Sequence, residues 1–182
     1  MALGFFIDNK NCYGCKTCSM SCIVSNLPGN RTTFLRRVQE IRVDQPRAVS
    51  FLSLACNHCE HPACVKNCPQ GAYEKLENGI VKQDHDKCIG CRTCIEACPY
   101  GAPAYDEESR SVYKCDMCSS RLERGEAPAC VVACPGANIA QGDLDDLRKL
   151  HEGAVQEIAG LTPSASEILL SFLIALDPSL GG

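Results

Sequence analysis

Residues 31–55 read "RTTFLRRVQEIRVDQPRAVSFLSLA". Their mix of apolar and polar positions predicts two strands, broken at Gln45-Pro46, because proline cannot donate to a sheet ladder. Two shorter stretches, "AYEKL" and "GIVKQ", flank Glu77-Asn78-Gly79. Asn-Gly between such stretches predicts a hairpin. Residues 143–158, "DLDDLRKLHEGAVQEI", predict a helix, with acids early and bases later as the helix dipole favours. The longest apolar run, "ILLSFLIAL" at 168–176, contains a serine and is far too short to span a bilayer. Within 164–176, Ile168, Leu169, Leu170, Phe172, Leu173, Ile174 and Leu176 would cover nearly every face of a helix or both faces of a strand. Such a segment has to be buried, either on the chain's own core or on a partner. The expectation is a helical tail that docks on a partner.

Composition changes the picture. The chain has 182 residues and 16 Cys, but no Trp, 5 Phe and 5 Tyr. Large core side chains are scarce, so something other than aromatic packing must organise the interior. The formal net charge is −4, and the basic residues Arg36, Arg37, Arg92, Arg121 and Arg124 form no long run. Most of them are read as solvated or ion-paired surface groups, and no nucleic acid is expected as a partner. The N-terminus, "MALGFFIDNKNC", carries no charged leader, so no signal peptide is expected. In the cytoplasm, where the chain is expected to be made, dense cysteines bind metal more often than they form disulfides.

The cysteines fall into four quartets: Cys12, Cys15, Cys18 and Cys22; Cys56, Cys59, Cys64 and Cys68; Cys88, Cys91, Cys94 and Cys98; Cys115, Cys118, Cys130 and Cys134. None is left over. Zinc sites usually join two separated C-x2-C knuckles and have no role for a third Cys three residues on. The second and fourth quartets alone could pass as zinc knuckles; the first and third could not. C-x2-C-x2-C-x3-C-P is the bacterial ferredoxin run, and sixteen thiolates match four [4Fe-4S] clusters. In two-cluster ferredoxins the fourth Cys of each run ligates the other cluster. A proline after it steers the chain away from helix. Pro69, Pro99 and Pro135 fill that place, whereas Cys22 is followed by Ile23. "CPQGAY", "CPYGAP" and "CPGANI" repeat a Cys-Pro head and a Gly-Ala turn, and "CYGCKTC" and "CIGCRTC" share a glycine, the marks of a duplicated unit.

The Asn-Gly hairpin is the short link of a two-cluster ferredoxin, so the second and third quartets form one unit. The first and fourth then pair across the chain ends. On this reading Cys12, Cys15, Cys18 and Cys134 hold one cluster, and Cys22, Cys115, Cys118 and Cys130 a second. Cys56, Cys59, Cys64 and Cys98 hold a third, and Cys68, Cys88, Cys91 and Cys94 a fourth. The alternative, pairing first with second and third with fourth, needs the long segment 23–55 as an internal link. The expected fold is α+β: duplicated bacterial-ferredoxin-like units, two 2[4Fe-4S] modules, with short hairpins and a C-terminal helical tail. Residues 1–55 and 104–142 form one module, 56–103 the other, and 143–182 the partner-docking tail. His58, His61, His85 and His151 are assigned surface or hydrogen-bonding roles. No nucleophile–base pair, Walker loop or dinucleotide fingerprint is present, so the chain is not expected to be catalytic alone.

Residues 4–141 resemble the four-cluster iron–sulfur subunit of dimethyl sulfoxide reductase-type molybdopterin oxidoreductases. The resemblance rests on "GFFIDNKNCYGCKTC", "CNHCEHPAC", "CPQGAYEK", "CIGCRTCIEACPYGAPAY", "KCDMC" and "ACVVACPGA". It implies nested cluster pairing, a catalytic partner carrying molybdopterin and, in many relatives, a membrane anchor that exchanges electrons with quinol. It also implies either a cytoplasmic site or export in the folded state with a partner that bears a twin-arginine leader, to the periplasmic face. All sixteen ligand positions are Cys, so a three-iron variant is not expected. The tail is shorter and more apolar than the family pattern. The rival readings are a polyferredoxin of a hydrogenase or formate-oxidising complex, and a zinc-bearing interaction module.

Overall fold

Short elements dominate, because each cysteine run occupies a stretch of chain as loop and a turn or two of helix. The computed structural model describes residues 1–27, 33–42, 49–156, 158, 162 and 172–175. In chain order the elements begin with β1 (Leu3–Asp8), α1 (Thr17–Asn26), β2 (Arg37–Arg42) and β3 (Val49–Leu54). Next come α2 (Ala63–Asn67), β4 (Tyr73–Lys75), β5 (Val81–Gln83) and α3 (Thr93–Ala97). The remainder are β6 (Ala104–Asp106), β7 (Ser111–Tyr113), α4 (Ser119–Leu122), α5 (Ala129–Val132), β8 (Ile139–Asp143), α6 (Leu144–Leu150) and β9 (Phe172–Ala175).

The two strands expected in 31–55 pair antiparallel as β2 and β3, with Val38 opposite Ser53. The predicted break at Gln45-Pro46 lies outside the described residues. The Asn-Gly hairpin joins β4 to β5, and Gly79 takes the left-handed conformation (φ 85°) that the turn requires. Its tip reaches the other end of the chain, where the Leu3 amide donates to the Asn78 carbonyl at 2.9 Å. A further hairpin, β6–β7, has no such turn signal and is not predicted.

The largest sheet has the order β8-β1-β9. β1 runs antiparallel to β8 and parallel to β9, which aligns Ile139, Ile7 and Ile174 in one row across the sheet. Successive side chains of a strand point to opposite faces. Phe5 and Ile7 therefore enter the main core, while Phe6 packs on the other face with Leu144, Leu147 and Leu173. α1 packs on α5, where the Ser21 hydroxyl donates to the Ala129 carbonyl at 3.3 Å; α2 packs on α3.

The tail differs from expectation in two respects. The helix predicted over 143–158 runs only from Leu144 to Leu150. Asp143 caps it, its carboxylate accepting from the Asp145 and Asp146 amides. It stops short because Gly153 adopts φ 82° and Val155 then exchanges backbone hydrogen bonds with Ile174. The apolar tail, expected to be helical and to dock on a partner, is over its described part the strand β9 on the chain's own sheet. A strand apolar on both sides suits this place: Leu173 is buried on one face of the sheet and Ile174 on the other, at 2% and 0% exposure. Residues 163–171 and 176–182 of the tail lie outside the described residues.

Candidate metal centres

The chain takes one conformation at the first Cys-x-x-Cys step of each of the four runs. The residue before the second Cys is left-handed in each: Gly14 (φ 72°), His58 (44°), Gly90 (68°) and Met117 (61°). The glycines have a local reason. A Cβ on Gly14 would lie 2.5 Å from the Phe51 ring, and one on Gly90 2.2 Å from the Arg110 carbonyl oxygen. At the other two steps the same turn carries a large buried side chain. Met117 and His58 are each 0% exposed, and the His58 Nδ1 accepts from the Val81 amide at 3.0 Å. The glycines make this turn recognisable in the first and third runs; nothing in the sequence marks His58 and Met117 as its equivalents.

The fourth cysteine of a run leaves the helix. Cys68 (φ −76°, ψ 115°) and Cys98 (φ −83°, ψ 112°) end α2 and α3 in extended conformation, as a following proline demands. Without that proline, α1 continues past Cys22 to Asn26. After Cys68, Cys98 and Cys134 the chain turns back, so that the amides of Ala72, Ala102 and Asn138 donate to the three sulfurs at 3.3, 3.4 and 3.3 Å. In the first run the Asn26 side-chain amide, 3.8 Å from the Cys22 sulfur, stands in this place. Further donors are the Tyr73 hydroxyl to Cys94 (3.2 Å), the Thr17 hydroxyl to Cys15 (3.3 Å) and the Met117 amide to Cys115 (3.3 Å).

Three cavities collect the thiols. One, with about 380 Å³ of empty space partly open to solvent, is lined by Cys12, Cys15, Cys18 and Cys134. A second, of about 480 Å³, is lined by Cys56, Cys59, Cys64 and Cys98, beside His61 and Lys114. A third, of about 300 Å³, is lined by Cys68, Cys88, Cys91 and Cys94. Each set takes three thiols from one run and one from another. Cys22, Cys115, Cys118 and Cys130 are all buried and lie within electrostatic reach of one another. Cys115 is also within reach of Cys56, which brings this set beside the second cavity.

Electrostatics favour a multiply charged metal group here. Burial pushes the Cys22, Cys59 and Cys64 thiols up to about 12, and that of Cys115 well above its usual range, with neighbouring sulfurs adding to the effect. Thiols held up in this way ionise together only if cations replace their protons, which iron does. A single zinc would need sulfurs about 2.3 Å from one centre. Among the described residues no three His, Cys, Asp or Glu side chains converge so tightly; the thiols surround a space instead. The donor set, amides and hydroxyls aimed at sulfur, fits an iron–sulfur cluster.

Two basic residues are buried, Arg36 against the surface role expected of it. Arg36 is 1% exposed, and the buried Lys114 ammonium donates to the carbonyls of Val81 and Cys115. Arg92 keeps to the expected exposed role, over the Tyr105 ring. Of the histidines, His151 stacks on Phe6, and His85 lies tilted against Tyr113.

Residues 47–144 match the family model described as a 4Fe-4S dicluster domain. The chain is 42% identical over 167 residues to the probable anaerobic dimethyl sulfoxide reductase chain YnfG of Escherichia coli (strain K12), covering 87% of this chain and 81% of that one. It is 44% identical over 157 residues to a chain of the anaerobic dimethyl sulfoxide reductase of the same organism, covering 81% and 77%. The chain belongs to the iron–sulfur subunits of the dimethyl sulfoxide reductase-type molybdopterin oxidoreductases. A subunit of the tetrathionate reductase of Salmonella typhimurium, 38% identical over 143 residues (77% of this chain and 57% of that one), is a further relative. Members of this family are the electron-transfer subunits of multisubunit reductases, and this chain is an electron carrier rather than a catalytic subunit. It binds [4Fe-4S] clusters through its dicluster domain. Among the described residues no helix is long and apolar enough to cross a membrane.

Proposed function

We propose that the chain carries four [4Fe-4S] clusters, each held by one of the four sets of thiols. Cys12, Cys15, Cys18 and Cys134 hold the first, and Cys22, Cys115, Cys118 and Cys130 the second. Cys56, Cys59, Cys64 and Cys98 hold the third, and Cys68, Cys88, Cys91 and Cys94 the fourth. The observation that carries this reading is the lining of the three cavities, each of which draws its fourth thiol from a different run. The pairing of β1 with β8 and the packing of α1 on α5 support one unit built from the chain ends (1–55 with 104–142) around a second at 56–103.

A cluster of this type, when bound, takes up and gives back one electron at a time. The chain's part is to hold the groups in series and control access to them. Cys15 and Cys91 are exposed, in the first and fourth sets, whereas every thiol of the second set is buried. The first and fourth sets are therefore the ends at which electrons enter and leave. At one end the partner is a catalytic subunit containing molybdopterin, as the named relatives are component chains of reductases. At the other it is a membrane anchor that exchanges electrons with quinol, or a soluble donor. The complex works in the cytoplasm or on the periplasmic face, and a twin-arginine leader on the catalytic partner would decide for the second. The direct test is metal analysis of the anaerobically purified protein. About sixteen iron and sixteen acid-labile sulfides per chain, with negligible zinc, are expected; four zinc ions without sulfide would end the reading.

A further inference from the structure

Arg36 immediately precedes β2 and is buried, at 1% exposure, rather than on the surface. Its guanidinium sits 4.8 Å from the centre of the Phe5 ring. Its Nη1 donates to the Ser53 carbonyl at 3.2 Å and to the Ser53 hydroxyl at 3.1 Å. The Ser53 Oγ in turn lies 3.3 Å from the Cys18 sulfur. Ser53, on β3, is itself 1% exposed.

Once Cys18 is a cluster ligand its sulfur carries no proton, and the chemistry of the three groups then fixes the direction of both hydrogen bonds. A guanidinium has only donors and stays charged at any ordinary pH. The Ser53 oxygen must therefore accept from Arg36, which leaves its single proton for the Cys18 sulfur. The charge of Arg36 also acts on Cys130, Cys115, Cys18 and Cys22, members of both sets in the unit built from the chain ends. A bound cluster becomes more negative by one unit on reduction. A buried cation and a hydrogen bond donated to a ligand sulfur both favour the more negative form.

We propose that Arg36 and Ser53 form a device that raises the potential of the cluster held by Cys12, Cys15, Cys18 and Cys134: Arg36 orients the Ser53 hydroxyl onto the Cys18 sulfur, and its charge acts on that cluster and its neighbour. The inference rests on the ligation proposed above. Both are positioning residues, and neither is a ligand. The device belongs to the β2–β3 hairpin, which lies outside every cysteine run. It gives that hairpin an electronic role in addition to its place in the core.

The test is potentiometric titration, followed by electron paramagnetic resonance, of the full chain in its native complex after iron and sulfide have been quantified. In Ser53→Ala the reduction equilibrium of the cluster at Cys18 should shift about tenfold toward the oxidised form, which is 59 mV for a one-electron couple. The two clusters of the 56–103 stretch should not move, and Ser53→Thr should restore the wild-type value. Arg36→Gln should shift both clusters of the chain-end unit in the same direction, and Arg36→Lys should shift them less. If Arg36→Gln fails to assemble, the two Ser53 variants decide. Unchanged potentials in Ser53→Ala with full iron and sulfide would overturn the device while leaving the ligation intact. Missing iron and sulfide in the wild-type chain would overturn the ligation itself, and the device with it.

Discussion

The stretch 56–103 and the assembly of the two chain ends each contain eight cysteines in two runs and support them by different means. In 56–103 the support is local. α2 and α3 are five residues each, stop at Cys68 and Cys98, and turn back within four residues to donate an amide to the sulfur. In the chain-end assembly α1 overruns Cys22, and a side chain at Asn26 stands in for the amide. Sheet pairing of β1 with β8 and β9 joins segments far apart in sequence, and Arg36 lies buried among the thiols. Ligand spacing therefore specifies what is bound, whereas proline, glycine and turn length determine whether the nearby chain alone can hold it.

The largest expected effect comes from breaking the cross-linking within 56–103. Cys98 belongs by sequence to the run of Cys88, Cys91 and Cys94 but lines the cavity of Cys56, Cys59 and Cys64. Cys98→Ser should convert the cluster of Cys56, Cys59 and Cys64 to a three-iron form with a new electron paramagnetic resonance signal, and leave the cluster of its own run intact. Loss confined to the Cys88, Cys91 and Cys94 cluster would refute the cross-ligation. Cys134→Ser makes the same test of the chain-end assembly, where the expected site of loss is at Cys12, Cys15 and Cys18.

Removing the metal should make stability depend steeply on pH in both regions. In the iron-free chain the folded-state thiols of Cys22, Cys59 and Cys64 lie at about 12, above the 9.0 of an ordinary thiol, chiefly because they are buried. Between these values the folded chain holds more protons than the unfolded one, so stability falls as pH rises. The contribution is fully present below pH 9 and is lost on the way to 12. Urea midpoints of the iron-free chain should therefore drop over that window. In the iron-loaded protein the thiolates are already proton-free and this fall should be absent; equal alkaline losses in the two forms would contradict the account.

How much of this was legible follows the same division. Most of 56–103 could be read: cysteine spacing, Pro69, Pro99 and Asn78-Gly79 predict its loops, exits and hairpin. At the chain ends only the cysteines themselves stand out in the sequence. β1 and β8 are not signalled by any turn, and their pairing is a tertiary event that no local pattern encodes. The apolar run at 172–175 announces that it must be buried but not where, since a strand between two cores and a partner-docking helix satisfy the same composition. Arg36 resembles every other arginine in the sequence; only the fold makes it a buried charge. His58 and Met117 hide the turn that Gly14 and Gly90 reveal, because packing there compensates for an unfavourable backbone.

That last contrast can be sharpened at Gly90. A methyl group there would meet the Arg110 carbonyl oxygen at 2.2 Å, and the left-handed backbone adds about 1–2 kcal/mol for any L side chain. Gly90→Ala should cost at least about 2 kcal/mol, read as earlier loss of the visible cluster absorption on heating. Met117→Gly leaves the same backbone unstrained, but empties a fully buried site. It should cost about 2–5 kcal/mol through the cavity alone. If Gly90→Ala were harmless, the turn would not be the common element of the four runs.

The smallest effect concerns the turn after the fourth cysteine, where the two regions share a backbone but not a residue. Counted from the cysteine, the left-handed position is Gly71 (φ 57°) after Cys68, Gly101 (φ 54°) after Cys98, and Ala137 (φ 51°) after Cys134. The Gly-Ala pair of the third repeat is shifted by one. Its glycine, Gly136, instead makes room for the side-chain amide of Asn138, which a Cβ would approach to 2.7 Å. That amide donates to the Asn11 carbonyl at 3.0 Å and ties the last cysteine run to the first. The chain-end assembly thus uses its glycine for a long-range tie and leaves an alanine in the strained position. Relief of about 1–2 kcal/mol of strain, offset in part by the greater freedom of glycine in the unfolded chain, leaves Ala137→Gly stabilising by about 0.5–1 kcal/mol. Gly71→Ala, where nothing lies within 4 Å of the added methyl, should lose a similar amount through backbone strain alone. On a domain of this size each change corresponds to roughly 1–4 °C in the midpoint of thermal cluster loss, in opposite directions. Shifts of the same sign in the two variants would show that the turns differ in energy despite their matching angles.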